Sequence, residues 1–120
     1  MVGGLLGQWS VWTRKAVGLL GQCHTAIDNG GTVSPELLRR HVELTDANAA
    51  IFDAAHGFAG CIAGIHEVLR RQGLLAGIWC LDPHENLSSG QAEEIQRVCR
   101  SYAHLTDDQF IERHRDQWLS

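Results

Sequence analysis

The run FAGCIAGIHEVLRRQGLLAGIWCLDPHENLSSGQAEEI, residues 58–95, decides how the rest of the chain is read. Its first part places Phe58, Cys61, Ile62, Ile65, Val68 and Leu69 at three- and four-residue steps, the spacing that gathers side chains on one face of an α-helix. Gly73 stops that pattern, because glycine takes the positive φ that ends a helix without a steric penalty. Arg70 and Arg71 fall in the last turn, where cations oppose the negative end of the helix dipole; that role is preferred here to a phosphate or carboxylate site. Gly60 and Gly64, four apart, permit another backbone to approach this helix closely. Residues 74–81, bounded by Gly73 and Asp82-Pro83, are expected to form an extended, buried connector carrying Trp79 and Cys80.

Working outward, the same spacing recurs on both sides. Upstream, Leu5, Trp9, Trp12, Ala16, Leu19, Leu20, Cys23 and Ile27 share one face of a first helix, weakened by Gly18 and Gly21 and broken at Asn29-Gly30-Gly31. A second helix follows at once, with Ser34 as cap, Pro35 in the first turn and Glu36 at the positive dipole end. Its expected apolar face is Leu38, Val42, Thr45, Ala49 and Phe52, flanked by Leu44 and Ile51, and His56-Gly57 ends or kinks it. Downstream, Ser88 with Gln91 and Thr106 with Gln109 have capping-box spacing. The helices they open use Ala92, Ile95, Val98, Cys99 and Tyr102, then Phe110, Ile111, His114 and Trp118. No segment alternates as a strand would, so the expected class is all-α, about five helices with short loops.

Composition agrees with a folded chain. With 120 residues, 44% apolar and 20% charged, one domain is expected, spanning residues 1–120 with no second domain. The net charge is −4. Arg14 and Lys15 dominate the N-terminal third, while residues 74–120 are acidic, so neither half attracts nucleic acid. There is no uninterrupted apolar run of membrane-spanning length and no signal-like opening, which points to a cytoplasmic protein with no membrane partner. Cys23, Cys61, Cys80 and Cys99 are far apart, lack a Cys-x-x-Cys pattern and are expected as buried free thiols.

The search for chemistry returns no catalytic, cofactor-binding or metal-binding residues. No two of the histidines lie at i, i+4, and no cysteine pair supplies a thiolate clamp. His66-Glu67 and His84-Glu85 diverge by about 100° on a helix and read as solvated polar residues. Glu93-Glu94 and Asp107-Asp108 lie near helix starts, where the dipole stabilises them, so capping is preferred to acid and base work. Ser10, Ser34, Ser88 and Ser89 lack a nucleophile-elbow setting. Gly3-Gly4 with Gly7 lacks the phosphate-loop pattern and its strand.

The order of parts in residues 58–95 resembles the C-terminal end of the dihydrodipicolinate synthase and N-acetylneuraminate lyase family, in its divergent members. There, a helix ending in Leu-x-x-x-Gly leads into a connector with a proline, a Leu-Ser pair and a final helix; here these are residues 69–73, Pro83, Leu87-Ser88 and the Glu93-Glu94-Ile95 helix. The helix with Trp9, Trp12, Thr13 and Arg14 is then similar to the one that follows barrel strand eight, and residues 42–55 to the next. Residues 104–119 extend beyond the end of the best-known members.

The resemblance implies a lyase of the class I aldolase type, in which a lysine forms a Schiff base with a 2-oxo acid on a (β/α)8 barrel, aided by a tyrosine and a threonine pair. None of these residues carries over, since the only lysine, Lys15, follows Arg14 on a helix and the only tyrosine, Tyr102, ends another. A complete barrel needs about 250 residues. The expectation is therefore an incomplete domain from a truncated or split reading frame beginning at Met1, inactive alone, without cofactor. Its partner would be the missing barrel portion, or a second copy through apolar helix faces. The alternative is an autonomous helical bundle acting as an interaction or oligomerisation module, and exposed Trp9, Trp12, Phe58 and Trp79 would argue against that alternative.

Overall fold

Five α-helices carry the chain in the computed structural model, which describes residues 7–120. They are α1 (Thr13–Asp28), α2 (Pro35–Ile51), α3 (Cys61–Arg71), α4 (Gln91–Ser101) and α5 (Asp108–Trp118), with 3-10 turns at Gly7–Ser10 and Ala54–His56. No strand occurs among the described residues, in agreement with the all-α expectation. Leu5, assigned above to the first helix, and Gly3-Gly4 lie outside them.

Local chemistry explains the helix ends. Ser34 Oγ accepts a hydrogen bond from the Leu37 amide at 3.2 Å, with Pro35 opening α2 and Glu36 in its first turn; such a cap is worth about 1 kcal/mol. At the end of α1, the Gly30 amide donates to the Ile27 carbonyl and the Gly31 amide to Ala26. Gly73 and Leu74 do the same after α3, donating to Arg70 and Leu69, both at 2.9 Å. Gly30 and Gly73 have positive φ, so both ends close as Schellman motifs.

Helices α2, α3 and α4 pack on one another around Ala47, Ile51, Val68, Ile95 and Val98, all essentially buried, with Val11, Trp12 and Leu105 completing the core. The two glycines of α3 and its start allow this. A Cβ at Gly64 would collide with the Ile51 carbonyl oxygen, and one at Gly60 with the Gln91 side chain. The close approach expected from their spacing is made, against α2 on one side and the start of α4 on the other.

Several expectations are corrected. The first helix begins at Thr13, not before Trp9, because Trp12 adopts a left-handed conformation at φ 52°. That backbone state costs roughly 1–2 kcal/mol, but it turns Trp12 into the core, where it is only 2% exposed; burying so large a side chain outweighs the strain. Trp12 is therefore not an uncovered aromatic, whereas Phe58 and Trp79 are exposed; Phe58, assigned above to the stripe of the third helix, lies before α3 with φ 69°.

The inward face of α2 lies nearly opposite the expected one, roughly 150° round the helix at about 100° per residue. Leu44, Ala47 and Ile51 turn inward, while Leu38 and Val42, at 57% and 65% exposure, point away. The polar residues beside the inward stripe show why. Asp46 receives two hydrogen bonds from the Arg97 guanidinium, at 2.8 and 2.9 Å, and one from the Tyr102 hydroxyl at 2.7 Å. Glu43 lies 2.7 Å from His104 Nε2. These contacts tie α2 to α4 and the turn after it, and the small Ala47 and Ala50 let α4 come near.

Residues 74–81 are irregular, but not buried as expected: none of them is fully buried, Trp79 is 76% exposed and Leu81 fully so. The cysteines are free, yet Cys23 is exposed and the other three are only half-buried. The Thr106–Gln109 capping box does not form, since the Thr106 hydroxyl donates back to Ala103.

Helix α1 has no fully buried residue. It is held at its first turn, where the Arg14 guanidinium lies 4.4 Å from the centre of the Phe110 ring. Phe110, His114 and Trp118, one turn apart on α5, stack along that helix, with His114 and Trp118 nearly parallel. The radius of gyration, 15.4 Å, exceeds the about 13.6 Å of a compact chain of this length.

Candidate functional site

Two places gather polar chemistry, a buried hub and an open groove. The hub begins at Asp53, which follows α2 in a left-handed conformation and is 3% exposed. Its Oδ2 accepts the Gly60 amide at 2.9 Å and the Ser88 hydroxyl at 2.5 Å, while Oδ1 lies 2.6 Å from His56 Nδ1. Burial pushes the carboxyl up, but the hydrogen bonds from Ser88, His56 and Gly60 outweigh it and hold the group below its ordinary range.

Gln91 sits beside it. Its Nε2 donates to the Gly60 carbonyl at 3.0 Å and approaches that of Ile51 at 3.3 Å, while its Oε1 accepts the Ser88 amide at 3.0 Å. Half of the expected Ser88–Gln91 capping box is thus made; the Ser88 hydroxyl has left it for Asp53. The hub contains a serine, an acid and a histidine, but in the wrong order for nucleophilic catalysis. A hydrolytic triad places the imidazole between hydroxyl and carboxylate, so that it takes the hydroxyl proton. Here the carboxylate stands in the middle, and the hub joins helix ends.

The remaining residues singled out in the sequence are placed apart. Glu67 is buried, not solvated, and binds both Arg70 and Arg71 at 2.7 Å; Arg71 also donates to the Ala92 carbonyl. The Arg70 hydrogen bond, helped by Arg71 and opposed by burial, holds the Glu67 carboxyl below its ordinary range. The two arginines thus neutralise an internal acid and tie α3 to α4. Asp107 accepts the Arg14 amide at 3.1 Å and Gln72 Nε2 at 2.9 Å. It caps a helix as expected, but α1 rather than its own. Glu93 and Glu94 lie in the first turn of α4. His84 is exposed, its amide donating to Asp82. Lys15 is exposed in the first turn of α1, and the Tyr102 phenol is committed to Asp46.

His66 comes closest to a nucleophile, with Nδ1 3.9 Å from Cys80 Sγ. Burial, then Glu85 and Asp82, pushes the Cys80 thiol up, so the thiolate that such chemistry needs is disfavoured. Among the described residues no three His, Cys, Asp or Glu side chains converge as a metal site.

The groove lies between α1 and α2, about 570 Å³ in volume, walled by Leu19 and Leu20 from one helix and Leu44 and Asn48 from the other, with Trp9 and Trp12 beside them. The Asn48 Oδ1 atom itself is buried, without a hydrogen-bond partner. Sequence reasoning missed Asp53 and this groove, and read Glu67 as solvated. The periodic spacing of Leu19 and Leu20 was the groove's only signal, and the acids gave none.

No family model, no curated protein and no solved structure matches the chain. Among the described residues no helix is long and apolar enough to cross a membrane.

Proposed function

We propose that the chain is a helical cover that docks on a larger body and carries no catalytic group of its own, as the C-terminal helices of a dihydrodipicolinate synthase-like Schiff-base aldolase lie on the outside of their barrel. One observation carries this reading: α1 runs for 16 residues without a fully buried side chain, although helices of this length owe most of their stability to packing. Val17 and Ile27 on α1, Val33 after it, and Leu38 and Val42 on α2 are all more than half exposed. Together they leave more apolar surface uncovered than scattered surface residues account for. The barrel and the aldolase chemistry rest on the resemblance of residues 58–95 alone.

A second reading, an autonomous bundle serving as an interaction or oligomerisation module, draws on the closed packing of α2, α3 and α4 and their shared polar hub. Urea unfolding followed by circular dichroism and tryptophan fluorescence separates the two. The cover reading expects non-coincident transitions and strong binding of a dye for exposed apolar surface; coincident, steep transitions without dye binding would overturn it in favour of the module. Catalytic emptiness is tested separately by borohydride trapping with pyruvate. No adduct is expected, and a covalent adduct on Lys15 would refute it.

A further inference from the structure

We infer that the groove between α1 and α2 binds a small amphipathic carboxylate, an apolar body carrying one acid group. Its size, about 570 Å³, lies within the range of roughly 300–1,000 Å³ typical of small-molecule sites. Leucines from both helices and two tryptophans supply apolar walls. The charged residues that line it are Arg14, Lys15 and Arg40, joined by His104, and none is acidic. That is a strong local bias in a chain whose net charge is −4. Arg40 and His104 already share Glu43, and Arg14 lies over Phe110. Lys15 makes no ion pair among the described residues, so its charge is available to an incoming anion.

The inference does not depend on the cover reading, and its test uses the whole chain. Titration calorimetry with N-dodecanoylglycine, which has a carboxylate, one N–H and an alkyl tail, is expected to give saturable binding of one ligand per chain. Dodecyltrimethylammonium, with the same tail and the opposite charge, should not compete. Lys15→Glu should weaken binding about five- to tenfold. It leaves the fold intact, because an acid in the first turn of α1 is favoured by the dipole. Equal binding of the cationic amphiphile, an unchanged affinity in Lys15→Glu, no binding of either amphiphile, or sedimentation showing the groove closed by a second copy would each overturn the inference.

Discussion

The Asp107 carboxylate accepts the backbone amide of Arg14 at 3.1 Å, across 93 residues of sequence. It thereby supplies the cap that α1 lacks locally, since Trp12 stands where a capping side chain would sit and offers no acceptor. The other oxygen takes the Gln72 amide at 2.9 Å. Asp107→Ala leaves the Arg14 amide without its acceptor, while Gln72 keeps its 2.8 Å bond to Asp108, and should cost about 1–3 kcal/mol, with the Arg14 amide exchanging faster. Asp107→Asn, which keeps one acceptor, should lose less. Urea midpoints and amide exchange check this, and an unchanged Arg14 protection in the alanine variant would contradict it.

Two glycine-to-alanine changes should move stability in opposite directions. Gly64→Ala drives a methyl into the Ile51 carbonyl oxygen and should destabilise by about 1–3 kcal/mol. Gly18→Ala, in open space within α1, should stabilise by about 0.5–1 kcal/mol. Thermal melts of the two variants decide it; a Gly64→Ala variant as stable as wild type would mean that α3 does not approach α2 closely.

The rotation of α2 predicts a second contrast. Ile51→Ala, at a fully buried position, should cost about 2–5 kcal/mol. Val42→Glu, on the outward face, should change the stability of the chain by no more than about 0.5 kcal/mol while reducing binding of the apolar-surface dye. A large loss at Val42 would restore the face read from the sequence.

Stability should fall in acid through Asp46. Hydrogen bonds from Arg97 and Tyr102, opposed by burial and aided by the charge of Arg97, lower its pKa from 3.8 to about 2. Because the folded value lies below the unfolded one, the contribution is present in full above about pH 4 and lost as pH falls toward about 2. The urea midpoint of wild type, followed between those values, should drop more steeply than that of Asp46→Asn. Parallel curves would show that the Arg97 contact is too well hydrated to matter.

What the sequence revealed was local. Ser34-Pro35 and the Gly30 and Gly73 stops depend on neighbours within six residues, and each formed as read. The Gly60–Gly64 spacing announced a close approach without naming Ile51 as the partner. The outward turn of Leu38 and Val42 was hidden because α2 has two apolar faces, and the choice between them rests on Arg97, Tyr102 and His104, contacted from 51 to 61 residues away. Asp53 and Asp107 were missed or misassigned for the same reason, since the groups that make their burial tolerable lie on other helices. The groove needed α1 and α2 side by side before its walls could be recognised.

Gln91 gives the domain its grain. One amide holds the carbonyls at the end of α2 and the start of α3, and the same side chain anchors the turn that opens α4. None of these three helices can detach without breaking bonds that belong to the others, so they should open and close as one cooperative unit. Helix α1 has no share in that amide; its first turn is tied to Asp107 and Phe110, so its amides should exchange before those of the block. The chain is therefore a three-helix block braced through one side chain, with α1 joined to it from outside that brace.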